Sequence, residues 1–309
     1  MIDVALLGTG GTIPFPDRFL ASSLIRYNGQ LILIDCGEGT QVSIRKLAWG
    51  IRNISVVCLT HFHADHTSGL PGFLLTVGQS GRDRHEPLTI LGPRGTQRIV
   101  DGLRVIAPHL PYPVHILEID EEMSYPAKTI FQLNDLRISS CHADHEISCL
   151  AYRFDLPRLP AFIPEKAKAI GIPVQKWKLL QRGECVEFNG QTIHPEAVLG
   201  PPRAGISFGY LTDSRPTKSL ERFFTNVDLL ISEGTYGDPA DQDKAIENKH
   251  MTFAEAATLA KNANAKELWL THFSPALPNP NYFYRQASDI MANSVIGHEH
   301  LSKTLIFPE

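Results

Sequence analysis

Three imidazoles and a carboxylate fall within six residues, at His61, His63, Asp65 and His66, in the run Leu59-Thr-His-Phe-His-Ala-Asp-His-Thr67. Nitrogen and oxygen donors of this kind suit zinc, manganese or iron. Positions i and i+2 of an extended loop project the same way, so His61 and His63 can grip one ion while the following turn aims Asp65 and His66 elsewhere. A charged, histidine-rich loop between two apolar runs serves no packing purpose, which argues against a chance cluster of solvated side chains. The chemistry such a set supports is metal-assisted hydrolysis.

The loop follows an apolar run from Ile54 to Leu59 that reads as a strand. Upstream, strands are expected at Val4 to Leu7, Ser23 to Tyr27 and Leu31 to Ile34, the last two joined as a hairpin by Asn28-Gly29. A turn at Cys36 to Gly39 leads into a helix through Ala48. Further helices are expected over Thr67 to Val77 and Arg94 to Ala107, with a strand at Leu88 to Leu91 between them. Strands follow at Val114 to Glu118, Leu136 to Ser140, Cys149 to Phe154, Ile206 to Leu211, Val227 to Ser232 and Leu268 to Thr271. Thr252 with Glu255 forms a capping box at the head of a helix running to Ala263. Strands interleaved with helices throughout predict a layered α/β fold, its sheets covered by helices on their outer faces.

One stretch departs from this pattern. From Leu156 to Gly200 prolines stand at 157, 160, 164, 173 and 195 and hydrophobic periodicity weakens, which reads as an insertion rather than sheet. The basic residues of 153–182 are Arg153, Arg158, Lys166, Lys168, Lys176, Lys178 and Arg182 against Asp155 and Glu165, a net +5 in a chain whose total is −4. The overall charge excludes wholesale coating by nucleic acid but not a local basic patch.

The remaining composition sets bounds. A chain of 309 residues, 43% hydrophobic, can close a sizeable core. The opening Met-Ile-Asp lacks the basic start and long apolar run of a secretory signal, and no later stretch is long enough to span a bilayer, so a cytoplasmic protein is expected. Five cysteines with no Cys-x-x-Cys pair read as reduced thiols, Cys36 and Cys58 being buried in apolar runs. His85, His109, His115, His194, His298 and His300 are isolated or terminal and read as solvated.

His61-x-His63-x-Asp65-His66 resembles the signature of the metallo-β-lactamase superfamily, which implies an αββα sandwich with two metals at the sheet edge. A narrower resemblance covers nearly the whole chain. Leu7-Gly-Thr-Gly-Gly-Thr12, Leu33-Ile-Asp-Cys-Gly-Glu-Gly-Thr-Gln41, Gly69-Leu-Pro-Gly-Phe73, Gly92-Pro-Arg-Gly95, Gly200-Pro-Pro-Arg-Ala-Gly205, His250-Met-Thr252 and Leu270-Thr-His-Phe-Ser-Pro275 are similar to segments of tRNase Z (ribonuclease Z) in its short form. That family cuts the 3′ trailer from precursor tRNA and usually works as a homodimer. The resemblance implies one metal-fold domain over 1–309, with about 156–200 as an inserted substrate-binding arm.

It also implies a ligand set: one metal held by His61, His63, His145 and Asp213, the other by Asp65, His66, Asp213 and His272. His142 competes with His145, but the family places its ligand seven residues before a tyrosine, here Tyr152, which selects His145 although Ala151 replaces the usual glycine. Two divalent cations, Zn2+ first and Mn2+ or Fe2+ as alternatives, would share a hydroxide and direct it at phosphorus. Asp65 would orient that hydroxide or accept its proton, and His250 would donate to the phosphate or to the leaving 3′ oxygen. Asp35 either fixes a ligating imidazole or stabilises its own loop, and Glu233 is a partner for His250.

On the arm, Lys166, Lys168, Lys176, Lys178 and Arg182 are the residues expected to grip tRNA phosphates. Trp177 either stacks on RNA or packs the arm's own core. The arm's usual glycine-proline is missing after Ile172-Pro173, and Phe19, in Pro16-Asp-Arg-Phe19, departs from the arginine-asparagine pair that many members have there and that is associated with the substrate's 3′ end. Two other readings stay open: a hydrolase of the same superfamily acting on small phosphodiesters or esters, and a non-catalytic RNA-binding module.

Overall fold

The structure, a computed structural model, describes residues 1–120 and 128–308. β1 (Ile2–Gly8), β2 (Ser22–Tyr27) and β3 (Gln30–Ile34) form an antiparallel meander. Asn28 and Gly29 both take positive φ, 50° and 78°, the two-residue turn that Asn-Gly favours because its twist matches the strands. From β3 the sheet grows in parallel through β4 (Ile54–Cys58), β5 (Leu88–Pro93) and β6 (Val114–Ile119).

Parallel neighbours need crossovers. They are supplied by α1 (Thr40–Leu47), by α2 (Ala64–Thr67) with α3 (Leu70–Gln79), and by α4 (Thr96–Leu103). The single helix expected over Thr67 to Val77 is thus two. They break at Ser68-Gly69, where the Gly69 amide donates to the Cys36 carbonyl at 2.9 Å and a Cβ on Gly69 would lie 2.0 Å from the Gly37 oxygen. The helix expected over Arg94 to Ala107 is shorter at both ends, tightening to a 3₁₀ turn over Arg104–Ile106.

The second sheet begins with the antiparallel strands β7 (Thr129–Leu133), β8 (Leu136–Ala143) and β9 (Cys149–Arg158). At Leu156 the chain enters a second compact unit, Leu156–Ile206, with α5 (Pro164–Ile170), α6 (Val174–Gln181) and a hairpin of β10 (Val186–Phe188) and β11 (Gln191–Ile193). The expectation of no sheet here is corrected. The hairpin turns at Asn189-Gly190, with φ of 50° and 74°, the same signal as Asn28-Gly29. This unit has its own small core of Ala167, Ile172, Leu180, Val186 and Val198. Trp177 packs against it, 5.2 Å from Phe162, and its indole N–H donates to the Ile172 carbonyl at 2.8 Å.

β12 (Arg203–Leu211) returns to the second sheet beside β9, followed by α7 (Lys218–Phe223) and β13 (Leu229–Glu233). After α8 (Gln242–Glu247) and α9 (Phe253–Asn262), β14 (Leu268–Thr271) extends the sheet. α10 (Arg285–Ser288) and β15 (Ser294–Ile296) complete it, and β16 (Ser302–Leu305) closes the first sheet against β1. β12 to β15 run parallel.

The central strands of each sheet are buried on both faces. α1, α3 and α4 cover Leu31, Leu33, Val57 and Ile90 of the first; α7, α9 and α10 cover Leu211, Leu230, Leu268 and Leu270 of the second. The opposite faces, with Ile32, Val56 and Cys58 on one sheet and Tyr152, Ile231 and Trp269 on the other, are equally buried. The Tyr152 hydroxyl donates to the Leu59 carbonyl at 2.6 Å, joining the two sheets. The result is an αββα sandwich. The capping box at Thr252 and Glu255 is complete, contributing about 1 kcal/mol. Phe253, the first residue of α9, is fully buried, and its truncation to alanine would cost about 3–5 kcal/mol.

Candidate metal centre

In open α/β sheets, functional side chains gather beyond the carboxyl ends of the strands. Both sheets obey this. His61 and His63 follow β4, Asp213 follows β12, Glu233 ends β13 and His272 follows β14, while His145 sits in the turn between β8 and β9. Several residues at or beside the centre hold left-handed backbone: φ is 57° at Asp35, 40° at Asp213, 57° at Lys249 and 59° at His272. Such conformations cluster where the surrounding structure over-determines them.

Two groups of donors lie at the centre, His61, His63, His145 and Asp213 in one and Asp65, His66 and His272 in the other, and a third set, Asp213, His250 and His272, overlaps them. In the first, Nδ1 of His63 is 3.1 Å from Nε2 of His61 and 3.3 Å from Nε2 of His145. Oδ2 of Asp213 is 3.4 Å from the same atom of His61 and 3.8 Å from that of His145. In the second, Nε2 of His66 and of His272 are 3.3 Å apart, and Oδ2 of Asp65 is 3.5 and 3.4 Å from them. Oδ1 of Asp213 faces this group, 3.5 Å from His66 and 3.1 Å from His272. One carboxylate therefore serves both groups with separate oxygens.

These spacings fit metal ligands. Donors held about 2.0–2.1 Å from zinc at tetrahedral angles lie about 3.3 Å from one another. Imidazole nitrogens facing each other this closely cannot all carry protons, and the two carboxylates add negative charge beside them. A divalent cation in each group would satisfy both conditions. His142 is not among these donors; its Nδ1 is 3.2 Å from the Cys149 carbonyl.

The outer ring nitrogens of His61, His66, His145 and His272 are also engaged, as orientation of ligating histidines requires. Nδ1 of His66 meets Oδ2 of Asp35 at 2.8 Å, and Asp35 also accepts from the Thr60 amide and hydroxyl, each at 2.8 Å. Asp35 thus both fixes an imidazole and ties its own loop. Nδ1 of His61 meets Oγ1 of Thr60 at 3.0 Å, Nδ1 of His145 meets the Lys249 carbonyl at 3.3 Å, and Nδ1 of His272 meets Oγ1 of Thr235 at 3.1 Å. Buried Glu233 accepts from Thr235 at 2.7 Å and faces Nδ1 of His250 at 3.1 Å.

Electrostatics sort these groups. Burial opposes charge on His250, but the Glu233 carboxylate and its hydrogen bond carry the pKa up to about 9. Burial pushes His61 down to about 4, aided by His66 beside it. Burial works to raise Asp65 and Asp213, yet the surrounding imidazoles hold both well below the usual carboxylate range.

Two contacts come from the main chain of the N-terminal loop. The Thr12 amide donates to Oδ2 of Asp65 at 2.7 Å, with Thr12 at φ 67°, costly for a β-branched residue. A Cβ on Gly11 would lie 2.7 Å from the His272 ring. The glycines of Leu7-Gly-Thr-Gly-Gly-Thr12 were the available signal, since glycine marks close backbone approach. Arg18 donates to the carbonyls of Leu277 and Pro278 at 3.0 and 2.9 Å. Phe19 is half-buried, and Lys46 lies 4.9 Å from its ring. Of the histidines read as solvated, His300 meets Ser43 at 3.0 Å and His194 meets Cys185 at 3.3 Å.

Lys166, Lys168, Lys176, Lys178 and Arg182 all lie on or beside α5 and α6 of the second unit. Two of the ammonium groups reach carbonyls within it, Lys166 to Leu199 and Lys176 to Glu187. Among the described residues no helix is long and apolar enough to cross a membrane.

Residues 16–131 match the family model of the metallo-beta-lactamase superfamily. The chain is 46% identical to ribonuclease Z of Clostridium acetobutylicum, covering 99% of both chains, and 47% identical to ribonuclease Z of Clostridium kluyveri, covering 100% of both. The crystal structure of the human short-form tRNase Z superposes with a TM-score of 0.71 over 99% of this chain and 100% of that one, at 22% identity, a likeness of fold. With full-length relatives at this identity, the chain belongs to the ribonuclease Z family.

Proposed function

We propose that this chain is an endoribonuclease that removes the 3′ trailer from precursor tRNA by phosphodiester hydrolysis. The observation that carries the reading is the placement of Asp213, one oxygen toward each donor group, with His250 held by Glu233 beside them. His61, His63, His145 and Asp213 would hold one divalent cation and Asp65, His66, Asp213 and His272 the other. Zinc is favoured by the nitrogen-rich set and the tetrahedral spacings. A bound pair would activate water and offset charge on the phosphate oxygens.

The protein's own groups supply the rest. Asp65, whose Oδ2 accepts from the Thr12 amide and faces His66 and His272, is placed to orient the attacking water or accept its proton. His250, kept protonated by Glu233, donates to the leaving 3′ oxygen. The net positive stretch from 153 to 182, most of it in the second unit, favours a long polyanionic substrate over a small ester, and residues of about 156–200 are read as the arm that grips tRNA phosphates. Work in the cytoplasm as a homodimer belongs to the same reading.

Purified, zinc-loaded protein should cut a precursor tRNA just after the discriminator base and leave a 3′ hydroxyl. Protein that binds metal and hydrolyses a model phosphodiester yet leaves several precursor tRNAs intact would overturn the proposal.

A further inference from the structure

A cavity of about 140 Å³ opens beside the metal centre, between the segment after β13 and the segment after β14. Two of its lining residues touch the centre. Thr235 lines it while bonding Nδ1 of His272, and Tyr236, another lining residue, has its ring 6.4 Å from that of His250. Its far side carries Tyr282 and Phe283. Phe283 packs on the core below, whereas Tyr282 is 78% exposed, the largest exposure among the described large hydrophobic residues.

The polar lining selects what can enter. Asp238 uses Oδ1 for the Ala240 amide and Asp241 uses Oδ1 for the Lys244 ammonium; among the described residues neither second oxygen has a protein partner. Carboxylates repel a phosphate but accept from an amino group at a base edge. The wall is braced, since Arg18 holds the carbonyls of Leu277 and Pro278 that border it.

We infer that this cavity is a nucleobase subsite: it receives the base of an unpaired nucleotide next to the cut phosphate, stacked on Tyr282 and Tyr236, with Asp238 and Asp241 reading its amino edge. The inference rests on the proposed endoribonuclease activity and adds a base-reading element to it. Aromatic platforms take unpaired bases because every base has a stacking face, and removing one such platform weakens binding roughly 5- to 100-fold. The subsite acts on substrate affinity and not on the chemical step.

The test uses zinc-loaded full-length protein and precursor tRNAs in which each nucleotide within three of the cut is replaced in turn by an abasic sugar. Tyr282→Ala should raise KM roughly tenfold on intact substrate with kcat little changed, and Tyr282→Phe should restore it. One abasic position should raise KM of the unaltered protein by a similar factor, and that substrate should not distinguish Tyr282→Ala from it. Tyr282 is exposed enough that its truncation should leave thermal stability unchanged. An unchanged KM for Tyr282→Ala, or losses that multiply at every abasic position, would overturn the subsite while leaving the nuclease reading intact. Failure of the unaltered protein to cut any intact precursor would instead remove both.

Discussion

Glu233, wholly buried, holds Nδ1 of His250 at 3.1 Å. Its other partners are the Ser214 amide at 2.6 Å, the Met251 amide at 3.0 Å and the Thr235 hydroxyl at 2.7 Å. A charge this deeply buried persists only when fully hydrogen-bonded. The cluster thereby ties the loops that carry Asp213 and His250 to one carboxylate, and the Thr235 hydroxyl passes the contact on to the His272 ring.

The first prediction follows from that arrangement. His250→Ala should lower kcat about 10²- to 10⁴-fold, the usual contribution of a general acid, with KM for precursor tRNA little changed. Single-turnover cleavage at saturating enzyme measures it. An equal loss in RNA affinity would assign His250 to substrate binding instead.

Metal ligation separates His142, near the end of β8, from His145 in the β8–β9 turn. His145→Ala should reduce the bound metal from about two ions per chain toward one, since its Nε2 faces His63 and Asp213. His142→Ala, whose Nδ1 lies near the Cys149 carbonyl, should leave the metal content unchanged. Elemental analysis after gel filtration decides between them.

Stripping the metal should destabilise the fold as well as end cleavage. Burial of five imidazoles and two carboxylates against one another is costly without cations between them, and ligand that binds only the folded state stabilises by about 2.7 kcal/mol at a hundredfold excess over Kd. A thermal melt of chelated protein should rise on zinc addition. A melt insensitive to zinc, manganese and iron would count against metal at this site.

The N-terminal loop gives a more local test. In Gly11→Ala the new methyl would lie 2.7 Å from the His272 ring, closer than a methyl group can sit, so the ring must move aside. Supporting contacts around a ligand are worth roughly 10- to 100-fold in metal affinity. Chelator competition should register a loss of that size, while a wild-type affinity would mean the ring has room to move.

Much of this site was legible because His61, His63, Asp65 and His66 are contiguous, so residue type and spacing speak together. His145, Asp213 and His272 come from three strand ends more than fifty residues apart, and local spacing carries no record of which ends converge. Only the family resemblance pointed to them. The Thr12 amide on Asp65 and the Lys249 carbonyl at His145 are main-chain groups, which every residue type provides, so no composition marks them. Most strands were readable from apolar runs. The hairpin at Asn189-Gly190 was masked by prolines around it, although its turn carries the same dipeptide that identified β2 and β3.

The last prediction concerns the second unit. Trp177 donates to the Ile172 carbonyl and packs on Phe162, so Trp177→Ala should loosen that unit's core rather than remove a stacking platform. Partial burial places the cost below the roughly 3–5 kcal/mol of a fully buried tryptophan. Replacing the exposed Lys168 and Lys178 by alanine should leave the core untouched and remove only charge. If these residues meet phosphates, precursor tRNA binding should weaken and the slope of log affinity against log salt should fall by about one for each phosphate no longer neutralised. Unchanged affinity and slope in the double variant, measured by filter binding across a salt series, would assign substrate grip elsewhere in the chain.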